Sequence, residues 1–228
     1  MEDEQERGLR QKYCSPVAPP TGRAETSAPY ACKASLYRSR RWSDGTTVET
    51  NMAKKQSREV LGKGKFLRLV REGRWEFVER SNARGAVAVI AVTDEREFIL
   101  TDQFRPAVGR RVIDLPAGLS GDVKGQENEA FALSALRELI EETGYHAEKL
   151  EHLADCPSSP GLASEIVSYY FATGVIHVEA GGGVEHEQLE VHSPKLRTIK
   201  KWLAGQVTAG KLIDPKVYAG LYFIKSRR

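Results

Sequence analysis

The stretch from Asn128 to Glu142 constrains the fold most, because one helix must satisfy two opposed surroundings. With Glu138 at zero on a wheel of about 100° per residue, Glu142 falls near about 40° and Glu141 near about 300°. Ala132, Leu133, Leu136, Leu139 and Ile140 fall between about 100° and about 220°, on the opposite face. The periodicity therefore predicts a helix over 128–142, anchored by its leucines and acidic on the other side. Gly144 stands just beyond its end, where a left-handed cap is usual. Like charges three and four residues apart destabilise a helix, and near its C-terminus the dipole opposes them too, so the cluster calls for a cation. Oxygen donors without a neighbouring His or Cys pattern suit hard Mg²⁺, with Mn²⁺ able to substitute. The alternative is a solvated acidic face with Arg137 and Lys149 as ordinary ion-pair partners.

Around this helix the chain reads as β-rich. Runs at 66–70, 74–80, 85–93, 97–103 and 111–115 have strand character, and Val87 to Val92 is continuously apolar, as expected of a central strand covered on both faces. Thr93-Asp94-Glu95-Arg96 predicts a hairpin turn, and Pro116 opens a Gly-rich connection. Strands are expected at 146–154, 165–172 and 189–192, and helices at 194–204 and 214–224. The class is α+β with a dominant mixed sheet. Phe66, Phe77 and Phe104 are expected in the core or at a dimer contact.

Residues 1–51 lack helical or strand periodicity and are read either as a disordered tail or as a stretch upstream of a natural start at Met52-Ala53-Lys54-Lys55. Acidic and basic residues nearly balance, with a net charge of +3, so no broad electrostatic case for nucleic acid exists. Cys14, Cys32 and Cys156 form no disulfide framework or zinc pattern, which makes the cytoplasm the default compartment. No apolar run approaches the roughly 18 residues of a membrane span, and the acidic N-terminus is unlike a secretory signal.

Arg137-Glu138-x-x-Glu141-Glu142-x-Gly144, with Leu139, Tyr145 and Glu129, resembles the Nudix hydrolase signature. One part departs. The signature expects Gly six positions before Glu129, where Val123 stands; Gly118 comes eleven before it, so the loop resembles a lengthened version. Gln103-Phe104-Arg105-Pro106, Asp114-Leu115-Pro116-Ala117-Gly118 and Ser159-Pro160-Gly161, with Pro160 sixteen residues after Gly144, resemble the ADP-ribose pyrophosphatase branch.

That resemblance implies an α/β/α sandwich over 83–228, preceded by extra antiparallel strands over 52–82 that pair two subunits into a homodimer. It implies Mg²⁺-dependent cleavage of the diphosphate of ADP-ribose or a similar nucleotide sugar, with GDP-mannose, dinucleotide polyphosphates and a non-catalytic nucleotide-sugar-binding regulator as alternatives. Carried over by position, Glu138, Glu142 and the Ala117 carbonyl would hold metal, Glu141 would contribute directly or through water, and Arg137 would orient the carboxylates. Glu187 matches the place of the water-activating residue, with Glu185 and Glu165 as alternatives. Arg105 is the candidate cation for phosphate or base, against an ion pair with Asp102; Trp75 matches an adenine-stacking position, against plain packing. His186 and His192 have no Cys or Asp partner at ligand spacing and are read as incidental.

Overall fold

The computed structural model describes residues 57–125, 127–183 and 189–227. The tail expected over 1–51, and the residues Glu185, His186 and Glu187, lie outside the described residues.

The apolar run found in the sequence is β4 (Gly85–Thr93), and it organises the molecule. It lies between β7 (Ala117–Ser120), antiparallel to it, and β9 (Ile166–His177), parallel to it; β9 in turn pairs antiparallel with β8 (Tyr145–Pro157). Successive side chains of a strand point to opposite faces. Ala88 and Ile90 accordingly pack with Phe98, Leu100, Leu115, Val217 and Ile224, while Val87, Val89 and Ala91 pack with Ile99, Ala135 and Leu139. The first group includes residues of α2 (Ile199–Thr208) and α3 (Pro215–Ser226), the second those of α1 (Phe131–Thr143). Helices thus cover both faces of a mixed sheet, which is the α/β/α sandwich expected. Each fully buried Ile, Leu or Phe in these layers contributes about 1.5 to 3 kcal/mol.

A second four-stranded sheet runs β10 (Glu190–His192), β5 (Leu100–Arg105), β6 (Arg110–Asp114), β11 (Leu212–Ile213), with β11 parallel to β6 and the rest antiparallel. The extra strands β1 (Arg58–Lys63), β2 (Leu67–Glu72) and β3 (Trp75–Arg80) form a separate antiparallel sheet. It joins the rest where the Val78 N–H donates to the Leu162 carbonyl (2.8 Å), the Ser164 N–H donates to the Val78 carbonyl (3.1 Å), and Arg80 pairs with Glu165 (2.5 Å). Phe66 and Phe104 are exposed rather than in the core, and Phe77 is half-buried.

Three expected boundaries move for identifiable reasons. The helix expected from Asn128 starts at Phe131, because Glu129 folds back to accept from the Ser134 hydroxyl (2.7 Å) and Arg137 (3.4 Å). The Gly-rich connection is partly a strand, β7, whose pairing with β4 no local pattern announces. The helix expected over 194–204 is a single 3₁₀ turn, Leu196–Thr198, leading into α2, which continues to Thr208. Among the described residues no helix is long and apolar enough to cross a membrane.

Candidate metal centre

Helix α1 is buried differently from the wheel. Ala132 and Leu133 are exposed, whereas Ser134, Ala135, Leu139, Ile140, Glu142 and Thr143 are buried. The cause is β7, which lies along the side of the helix that holds Glu138 and Ser134. The Ser134 and Ser120 hydroxyls lie 2.9 Å apart, and the Ala117 N–H donates to Glu142 Oε2 (3.0 Å), so the acidic side faces protein as well as solvent. Glu142 retains only 8 % of its surface. Glu138 lies so close to Gly118 that a Cβ there would overlap its carboxylate, which accounts for a glycine at that place.

Arg137 sits behind these groups. Its Nη1 donates to Glu138 (2.8 Å) and Glu141 (3.1 Å); its Nη2 donates to the Leu119 carbonyl (3.2 Å) and Glu129 (3.4 Å) and lies 3.9 Å from Asp122. One guanidinium therefore faces four carboxylates. Burial alone would lower its pKa, but Glu138, Glu129 and Glu141 together raise it. Glu138 is pushed up to about 7, first by burial, then by Glu141 and Asp122, with Arg137 opposing. A single cation is insufficient to ionise this carboxyl fully near neutral pH.

These residues fit a hard divalent ion. The donors are carboxylate oxygens from α1 beside the backbone of β7, and the held-up pKa of Glu138 marks a charge deficit that such an ion would fill. Glu138 and Glu142 would hold it, with Glu141, 47 % exposed, at the open edge.

The other site residues stand apart. Arg105 is not paired with Asp102: its Nη2 lies 3.9 Å from Asp114 Oδ2, at the end of β6, and half of it stays exposed. Burial raises the Asp114 carboxyl, while Lys216 (3.0 Å) opposes that; Lys216 also binds Asp214, whose side chain caps α3 by accepting from the Lys216 N–H (2.8 Å). Trp75 is 59 % exposed on β3 beside Arg74, and no described contact joins it to α1 within the protomer. Glu165 is held by Arg80.

A second acidic group was invisible in the sequence. Asp102, Glu190 and His192 each offer a ligand atom within 4.8 Å of one another, a donor set consistent with a divalent ion. Asp102, fully buried, already receives Lys211 Nζ (2.6 Å), Arg111 Nε (2.8 Å) and His192 Nε2 (3.4 Å). With two permanent cations in contact, this group is an ion-pair hub joining β10, β5, β6 and the turn before β11, and the metal chemistry is better suited to α1. His192 is thus not incidental: it packs edge-on against Trp202 and braces β10. The partners lie up to 109 residues apart, so no spacing could have revealed them.

A family model described as NUDIX domain matches residues 82–208. The chain is 38 % identical over 104 residues to a methanol dehydrogenase activator of Bacillus methanolicus, a match covering 46 % of this chain and 54 % of that one. It is 49 % identical over 88 residues to an ADP-ribose pyrophosphatase of Bacillus subtilis (39 % and 45 %), and 29 % identical over 147 residues to a GDP-mannose pyrophosphatase of Escherichia coli K12 (60 % and 73 %). The chain spans about half the length of the first two relatives. A crystal structure of an ADP compounds hydrolase shares the fold, with a TM-score of 0.51 at 18 % identity, covering 66 % of this chain and 84 % of that one.

Proposed function

The chain belongs to the Nudix family, matched over residues 82–208, and on that premise we propose that it hydrolyses the diphosphate of ADP-ribose or a related nucleotide sugar with Mg²⁺. The observation that carries this reading is the carboxylate pair of half-buried Glu138 and buried Glu142, set against β7 with Arg137 beside it. Bound there, a divalent ion would neutralise the diphosphate and lower the pKa of an attacking water. The chain's own groups do the rest: Arg137 holds Glu138 and Glu141 in place, and Arg105, half exposed and steadied by Asp114, takes phosphate or base. Glu187 is the proposed water-activating residue, with Glu185 and Glu165 as alternatives. The Glu165 carboxylate is already held by Arg80, which counts against it as the base.

ADP-ribose is favoured over GDP-mannose by the higher identity to the Bacillus subtilis ADP-ribose pyrophosphatase, although the GDP-mannose enzyme is matched over a longer stretch. A homodimer is supported by the exposed apolar residues of the β1–β3 sheet, Val60, Leu67, Leu69 and Trp75. Trp75 would then serve the partner's base pocket.

Rates with ADP-ribose, GDP-mannose, UDP-glucose and diadenosine polyphosphates, each with Mg²⁺ and with Mn²⁺, test the proposal. Nucleoside monophosphate and sugar phosphate, released only with divalent metal and fastest from ADP-ribose, are expected. Absence of cleavage across the panel would refute the enzymatic reading, and GDP-mannose as the fastest substrate would refute the ADP-ribose assignment.

A further inference from the structure

After β9 the chain leaves the sheet at Val178 and runs against the last turn of α1. The Val178 and Glu179 N–H groups donate to the Gly144 carbonyl (2.8 and 3.3 Å). The Gly182 N–H then donates to the Glu142 carbonyl (2.8 Å) and the Gly183 N–H to the Glu141 carbonyl (3.0 Å). The final carbonyls of a helix have no partner within it, so residues 178–183 act as an external cap.

No side chain fits between the two backbones. A Cβ on Gly144 would overlap the Glu179 carbonyl oxygen; one on Gly181 would overlap the Thr143 carbonyl carbon and lie 2.6 Å from the Thr143 Cα. The obstacle at Gly181 is backbone, which cannot swing aside as the end of a side chain can. The far end of the connection is fixed as well. Glu190 of β10 lies opposite Asp102 in the sheet and 3.1 Å from Arg111, and His192 reaches Asp102.

The carbonyls held by this strap belong to Glu141 and Glu142, residues whose side chains form the metal centre. We propose that Gly181 is a positioning residue of that centre: its contact with Thr143 lets the strap close on the last turn of α1, fixing the directions in which the carboxylates of that turn point. The proposal rests on reading α1 as the metal site. It makes strap closure and metal binding mutually dependent, and coupling of this kind is reciprocal: the factor by which the closed strap tightens metal is the factor by which metal favours closure.

Mn²⁺ binding to the metal-free full chain, followed by electron paramagnetic resonance, tests one direction. Gly181→Ala should weaken it about tenfold at a temperature where the variant remains folded. Gly205→Ala, in α2 with nothing within 4 Å of the added carbon, should not. Amide hydrogen exchange on the unaltered chain tests the other direction: saturating Mg²⁺ should slow the Gly182 and Gly183 amides severalfold. Equal Mn²⁺ affinity in folded Gly181→Ala overturns the proposal. Exchange at those amides that is indifferent to Mg²⁺ also overturns it, which decides the matter should the variant fail to fold. An unaltered chain that binds no Mn²⁺ overturns the metal-site reading together with the strap, whereas binding that ignores the substitution overturns the strap alone.

Discussion

Replacing Glu138 by glutamine in the metal-free protein should make it more stable at pH 8 and change it far less at pH 5. The folded chain raises the Glu138 pKa from 4.5 to about 7, chiefly by burial. The folded state therefore binds the proton more tightly than the unfolded one, and stability falls as the pH climbs from about 4.5 to about 7. Below that window the carboxyl is neutral in both states and no penalty exists; above it the penalty is complete. At about 1.4 kcal/mol per pH unit, the full effect is about 3 kcal/mol. Glutamine keeps an acceptor for Arg137 Nη1 and carries no charge to desolvate. Urea unfolding in EDTA, followed by circular dichroism at both pH values, should show the variant gaining roughly 2 to 3 kcal/mol on the parent between pH 5 and pH 8. Added Mg²⁺ should narrow that difference by stabilising the parent. A stability difference that stays constant across the range would refute the argument that buried negative charge is held in reserve for a cation.

The same geometry sets further outcomes. Glu142→Gln should lower kcat/KM for Mg²⁺-dependent diphosphate cleavage by at least about a hundredfold while the fold persists, and unchanged turnover would remove Glu142 from the metal set. Arg105→Ala should act mainly on KM, raising it about tenfold or more as a charge-assisted contact is lost; steady-state kinetics with an unaltered KM would exclude it from substrate binding. Asp102→Ala should cost about 1 to 3 kcal/mol, because Lys211 and Arg111 lose their shared buried partner while water still reaches both and Arg111 keeps Glu190. Burial would raise the Asp102 carboxyl, but hydrogen bonds from Lys211, Arg111 and His192 outweigh it and hold the group below the usual aspartate range. Its stabilisation is thus present above that range and lost as pH falls through the folded value, so chemical denaturation should find the variant's deficit shrinking in acid.

The parts of the fold legible in the sequence were those written in local periodicity. Val87 to Val92 announced a strand buried on both faces, and Gly144 announced the end of the helix, where φ is +71° and its N–H donates to the Ile140 carbonyl (2.7 Å). The acidic cluster of α1 was legible because Glu138, Glu141 and Glu142 fall within one turn and a half of helix. Pairings between distant segments were not. Nothing near Asp102 points to Lys211, and nothing near Asp114 points to Lys216, though the helix expected over 214–224 is found at Pro215–Ser226. The wheel placed Glu142 opposite the leucines but gave no sign that it would be buried. Strand β7, unread in the Gly-rich connection, supplies the cover.

The central position of β4 also bears on how the chain reaches this structure. Its parallel neighbour is β9, and the paired residues Val87 and Ser168 are 81 positions apart. During synthesis β4 and the acidic helix both emerge well before that neighbour exists, and loop closure over such a span must precede any gain from the pairing. The inner strand, which ends as the most protected element, is therefore among the last to be completed on both sides. Until β9 arrives, α1 has only part of the sheet to dock upon, and its crowded carboxylates make it a poor helix alone. Refolding should consequently be slow for a domain of this size and should report α1 and β9 ordering together.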